Sequence, residues 1–130
     1  MGYTHYLTQN KEGYAEKHPN YNKVMDALER VAIHEKGAIE GSMFYEGPHY
    51  NGKHYVRDEH GLFFTGYESF TFPETGNFSF CKTQRYPFDT AVVACYHIIS
   101  TLMGDMYQFT SDGCEEDLAE GRALGDSILN

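Results

Sequence analysis

The chain has 130 residues, enough for one hydrophobic core and too few for two, so a single domain over residues 1–130 is expected. With 41% hydrophobic residues, eleven Tyr and nine Phe, it falls outside the disordered class despite a formal net charge of -9. Nineteen Asp and Glu against ten Lys and Arg argue against broad nucleic-acid binding, which needs a basic field to offset phosphate repulsion.

In chain order, Tyr3 to Thr8 alternates in the manner of a strand, with Tyr3, His5 and Leu7 on one face and Thr4, Tyr6 and Thr8 on the other. Tyr21, Val24, Met25, Leu28, Val31 and Ala32 then recur with a helical period, Asn20 being placed to cap that helix and Gly37 to end it. From Ile39 to Phe80 the period becomes alternating. Strands are predicted at Ser42–Tyr45, His54–Arg57, Leu62–Thr65, Glu68–Phe72 and Phe78–Lys82, and Asn51-Gly52 is the strongest hairpin signal between them. Asp89 opens a second helix, apolar through Met103 and therefore expected to be buried. A strand at Met106–Thr110 leads through Ser111-Asp112-Gly113 into an acidic helix from Glu115, weakened by Gly121 and Gly125. The order β-α-(β meander)-α-β-α predicts an α+β fold, a mostly antiparallel sheet with helices packed on one face.

Cys81, Cys95 and Cys114 are odd in number and lack C-x-x-C spacing, so neither a disulfide framework nor a zinc knuckle is indicated and a reducing cytosol fits. No apolar run reaches the length of a membrane span, and the N-terminus lacks a leader pattern, so no membrane association is expected. His49, His54 and His60 stand at spacings of five and six, which match no metal-ligand pattern, and no metal site is assigned. Neither G-x-x-x-x-G-K-[ST] nor G-x-G-x-x-G occurs, and no cofactor is implied.

Two of the ten cationic side chains, Lys82 and Arg85, stand within four residues of each other at a strand-to-helix junction. Phe78, Phe80 and Lys82 share one strand face, so Lys82 ends an apolar row while Thr83, counted with it among the ligand-binding residues, points away from it. Arg85 follows in the loop, Pro87 fixes the approach, and Asp89 is placed as a structural cap on the helix. A planar guanidinium fork and a mobile ammonium suit a phosphate or carboxylate, each contact contributing about 1.5–3 kcal/mol. Ser111 and Asp112, at a second strand-to-helix turn, would contact ligand hydroxyls, and Tyr3 with His5 would pack on its ring. The competing reading is structural, with Lys82 and Arg85 neutralised by Asp89, Asp112 or Glu68.

Gly2-Tyr3-Thr4-His5-Tyr6, Glu68-Ser69-Phe70-Thr71-Phe72-Pro73, Phe80-Cys81-Lys82-Thr83-Gln84-Arg85-Tyr86-Pro87-Phe88-Asp89 and Ser111-Asp112-Gly113 together resemble a family of small proteins encoded by tailed bacteriophages. Leu7 and Cys114 stand where members of that family often carry Trp. The resemblance implies an accessory phage protein acting in the host cytoplasm. Joined to the basic junction, it implies binding or sequestration of a small anionic, nucleotide-like ligand. The alternatives are a protein-binding inhibitor of a host or defence protein, using the Tyr-rich stretch from Gly41 to Tyr67, and an enzyme acting on a phosphorylated small molecule with His5 or Asp112 as acid or base. Enzymatic activity ranks below binding because no nucleophile and base can be paired in the sequence. The aromatic surplus is also compatible with a homo-oligomer.

Overall fold

The computed structural model describes residues 3–42, 53–74 and 78–130. Its elements are β1 (Thr4–Gln9), one 3₁₀ turn at Ala15–Lys17, α1 (Tyr21–His34), α2 (Lys36–Gly41), β2 (Tyr55–Asp58), β3 (Gly61–Thr65), β4 (Ser69–Phe72), β5 (Phe78–Lys82), α3 (Asp89–Leu102), β6 (Tyr107–Ser111) and α4 (Glu115–Leu129). The fold is α+β and its strand pairs are antiparallel, as the sequence pattern predicts. The Asn51-Gly52 turn, most of the Ser42–Tyr45 strand and His49 lie outside the described residues.

The strands divide into two three-stranded sheets, ordered β5-β1-β6 and β2-β3-β4. The second is the expected meander; β5 leaves it to pair with β1. That pairing sets Tyr6 opposite Phe80 and His5 opposite Cys81, so Cys81 and Ser79 turn inward beside His5 and Leu7. Phe80 and Lys82 consequently face outward, and Phe80 is 53% exposed. Local alternation in β5 is the same for either partner, which is why the sequence pattern leaves the sheet assignment open.

One buried cluster joins both sheets to α1 and α3, drawing on Leu7, Val24, Leu28, Phe64, Phe70 and Ile99. The hydrophobic run of α3 is buried nearly throughout, with Ala91, Val92, Ala94, Cys95, Ile98 and Ile99 sealed from solvent. Against its remaining face lies α4, which runs unbroken through Gly121 and Gly125. A Cβ at Gly121 would stand 2.5 Å from Val93 Cβ, and one at Gly125 would stand 2.9 Å from His97 Cδ2. The two glycines, one helical turn apart, therefore admit close helix packing and do not interrupt the helix.

The first helical region also departs from expectation. α1 stops at His34, and Gly37 sits inside a further short helix, α2, which buries Ile39. Ser42 follows α2; its hydroxyl donates to Ala38 O at 2.7 Å and accepts the Phe88 amide at 2.7 Å, so it does not begin a strand. Asn20 precedes α1 without capping it, and its side-chain amide instead donates to Leu102 O at 2.7 Å. A long-range bond thus ties the start of α1 to the end of α3 and replaces the predicted local one.

Candidate functional site

At one end of the β5-β1-β6 sheet, the segments carrying the predicted site residues do meet. The hub is Asp89. It stands in the first turn of α3, where Phe88 occupies the capping position, and makes no cap bond. Its Oδ1 instead accepts the Thr83 hydroxyl at 2.5 Å and lies 2.6 Å from His5 Nε2. His5 Nδ1 is in turn 2.7 Å from Ser111 Oγ, which also accepts the Gly113 amide at 2.9 Å. Because an ionised carboxylate only accepts, Nε2 carries the proton, and in the neutral ring Nδ1 takes the Ser111 hydroxyl proton. His5 and Thr83 are fully buried. The role assigned to Asp89 from sequence, a helix cap, is corrected to that of a clamp joining β1, the turn after β5 and, through His5, the end of β6.

The predicted pair of cations does not form one clamp. In the antiparallel register Lys82 stands opposite Thr4, on the sheet face turned away from His5. Its backbone amide donates to Glu68 Oε1 at 3.0 Å. Arg85 is on the other side, with its guanidinium carbon 4.0 Å from the Tyr3 ring centroid and Nη1 3.3 Å from Asp117 Oδ1. Asp112 does not hold Arg85; it accepts the Thr4 amide at 3.1 Å and the Tyr6 hydroxyl at 3.0 Å. Tyr3 is buried, meets His5 edge-on at 5.1 Å and is covered by Arg85, so its ring is not a free wall for a ligand. Of the seven ligand residues expected from sequence, only Arg85 and Asp112 are exposed.

Asp117 is the partner that sequence reasoning missed. It lies three residues after Cys114, at the position where a carboxylate returns to the first amide of a helix, and it accepts the Cys114 amide at 3.1 Å. That bond, then the Arg85 contact, holds its carboxyl below the usual carboxylate range. The spacing was visible in the sequence; that Arg85 would reach it was not.

Ser111, His5 and Asp89 form a hydroxyl–imidazole–carboxylate chain, an order known from nucleophilic catalysis. Acyl transfer also needs donors for the developing oxyanion. The three amides that follow Ser111 are already committed: Asp112 N–H to Thr4 O at 3.0 Å, Gly113 N–H to Ser111 Oγ and Cys114 N–H to Asp117. Every side-chain polar atom that is itself sealed from solvent has a partner among the described residues, so an unpartnered hydroxyl must keep some access to solvent. This is the arrangement of a polar tie, not of a poised nucleophile. Cys81 is likewise buried, and burial pushes its thiol pKa up, away from the thiolate a nucleophile requires.

Among the described residues, the other histidines offer no cluster. His54 is buried and bonds Ala32 O at 2.7 Å, a tie between the strand region and α1, while His60 is exposed beside Glu59 at 3.6 Å. No group of three or more His, Cys, Asp or Glu placed to hold a metal occurs among the described residues. No helix among them is long and apolar enough to cross a membrane.

A cavity of about 620 Å³ lies elsewhere, outside the set of residues expected from sequence. Its walls come from the β1–α1 loop (Glu12, Tyr14, Glu16), the start of α1 (Tyr21), the segment after β4 (Glu74) and β6 (Tyr107). The loop is pinned by Gln9, whose amide donates to Lys11 O and Gly13 O, each at 2.9 Å, and Gly13 adopts φ 135°, a conformation open to glycine. Tyr107 is 7% exposed, packs its ring on Phe72 at 5.4 Å, and its hydroxyl makes no hydrogen bond to any described residue. Burial, then the Glu16 carboxylate, pushes its phenol up to about 12, and Tyr21 is raised by burial and by the same Glu16. No protein-family model, curated protein or solved structure matches the chain.

Proposed function

We propose that this protein is a non-catalytic, small-ligand-binding accessory protein of a tailed phage, acting in the host cytoplasm, and that its ligand enters the tyrosine- and carboxylate-lined cavity. The supporting observation is Tyr107: a phenol more than nine-tenths buried whose hydroxyl has no partner among the described residues and whose electrostatic neighbours, Glu16 and Tyr21, both line the cavity. A cavity of this volume is in the range that encloses small molecules. The exhausted hydrogen-bonding capacity around Ser111 favours binding over turnover.

Mass spectrometry of small molecules released from the heat-denatured protein, followed by a thermal-shift panel of amines, nucleotides and sugars, tests the proposal. A ligand at 100 times its Kd adds about 2.7 kcal/mol of stability. The expected result is a ligand whose stabilisation shrinks in Tyr107→Phe and does not change in Arg85→Ala. The absence of both a co-purifying molecule and a shift with any panel member would falsify it.

One observation favours a second reading, an anionic, nucleotide-like ligand held at Arg85. Gln84 and Arg85 are consecutive non-glycine residues with left-handed backbones, φ 51° and 60°, a turn held by Tyr3 O, which accepts both the Thr83 and Gln84 amides. Such strain concentrates at ligand clamps. The Arg85 side chain is 62% exposed, and its 3.3 Å contact with Asp117 is a solvent-screened surface pair of the weak kind. A nucleotide shift lost in Arg85→Ala and kept in Tyr107→Phe would select this reading.

A further inference from the structure

Among the described residues, four carboxylates and three tyrosines line the cavity, and no Lys or Arg does. The carboxylates come from two separate parts of the chain, Glu12 and Glu16 from the β1–α1 loop and Glu59 and Glu74 from the turn after β2 and the segment after β4. Although Glu74 is exposed, partial desolvation raises its carboxyl above the usual range with no cation opposing the shift. Tyr14 shows what its ring accepts: the chain's own Lys17 places its ammonium 5.4 Å from the Tyr14 centroid. At the buried wall, the Tyr107 hydroxyl is free among the described residues to accept from an N–H donor. Carboxylates from two parts of the chain, the exposed Tyr14 ring and a phenol oxygen without a described partner complement ammonium groups joined by an apolar stem.

Building on the reading of this cavity as the ligand site, we infer that its ligand is an organic cation, a linear aliphatic diamine or polyamine, with its ammonium groups at the carboxylates and its methylene chain across the tyrosine rings. A bare divalent metal fits less well. It would find phenol faces in place of a compact oxygen cage, and the carboxylates do not cluster as ligands among the described residues.

Calorimetric titration of the full chain with spermidine at about 0.15 M salt tests this, with Mg²⁺ and a neutral diol of matching length as control titrants. Saturable spermidine binding is expected, at least tenfold weaker in the double variant Glu16→Gln, Glu74→Gln and several-fold weaker in Tyr107→Phe, with Arg85→Ala unchanged. The carboxamides and Phe keep side-chain shape, and circular dichroism with melting confirms that each variant folds. Absence of spermidine binding, equal loss of binding in the presence of Mg²⁺ at the same concentration, or affinity indifferent to the double variant would overturn the inference. If the release experiment yields a neutral or anionic molecule sensitive to Tyr107→Phe, the cation assignment fails while the cavity stands; if nothing binds there, both fail.

Discussion

The end of the β5-β1-β6 sheet and the cavity under the β1–α1 loop use polar groups in opposite ways. At the sheet end the acceptors Asp89, Ser111 and Asp112 each meet donors from the protein itself, with bonds of 2.5–3.1 Å. In the cavity the Tyr107 hydroxyl has no described partner, and the raised Glu74 carboxyl is met by no positive charge. A cluster of chemically capable residues is therefore not in itself a site. Groups that satisfy one another hold the fold, and a ligand is recruited by those that the fold leaves unmet.

The largest effect expected is that of Asp89→Ala. Removing the shared acceptor strands the Thr83 hydroxyl and the His5 Nε2–H, each at a cost of about 1–3 kcal/mol. Urea unfolding reads it, and a loss below about 1 kcal/mol would break the contrast by showing that the network does not hold the sheet end. Ser111→Ala should cost about 1–3 kcal/mol for the orphaned Gly113 amide and His5 Nδ1, while any ligand affinity stays unchanged.

Gln84→Gly should act in the other direction. Relieving one left-handed non-glycine residue stabilises the chain by about 1 kcal/mol, seen as a higher urea midpoint. A smaller effect is a pH dependence at Asp117. Because its folded pKa lies below the unfolded value of about 3.9, its contribution is present above that value and is lost as pH falls through the folded pKa. The melting-temperature gap between wild type and Asp117→Asn should therefore be open at pH 6 and close on acidification below about pH 4.

Smallest of all should be the stability cost at the cavity. Tyr107→Phe removes an oxygen without a described partner and keeps the packing on Phe72, so unfolding free energy should change by less than about 0.5 kcal/mol. A large loss would mean that the hydroxyl is structurally engaged, and the division between the two regions would dissolve.

Much of the local architecture was legible in the sequence. The 3.6-residue stripe of Tyr21 to Ala32, the apolar run of α3 and the alternation in β1 appear where their periods place them, because each records burial on one face of a regular element. Gly121 and Gly125 mislead when read by propensity alone, since propensity weighs the isolated helix and their value lies in contact with Val93 and His97. Among the candidate residues, the convergence of His5, Thr83, Asp89 and Ser111 carried a sequence signal only through the blocks that contain them. The cavity carried none, because Glu12, Glu16, Glu74 and Tyr107 are scattered and individually ordinary.

By itself, then, the sequence determined the elements and their class, an acidic α+β chain of alternating and helical stretches, because periodicity is a property of neighbours along the backbone. Tertiary structure alone decided which strand β5 would join, that Lys82 and Arg85 would part to opposite faces of the sheet, and that distant carboxylates would face a buried phenol. Those outcomes depend on pairing register and on long-range burial, quantities that no local window of residues contains.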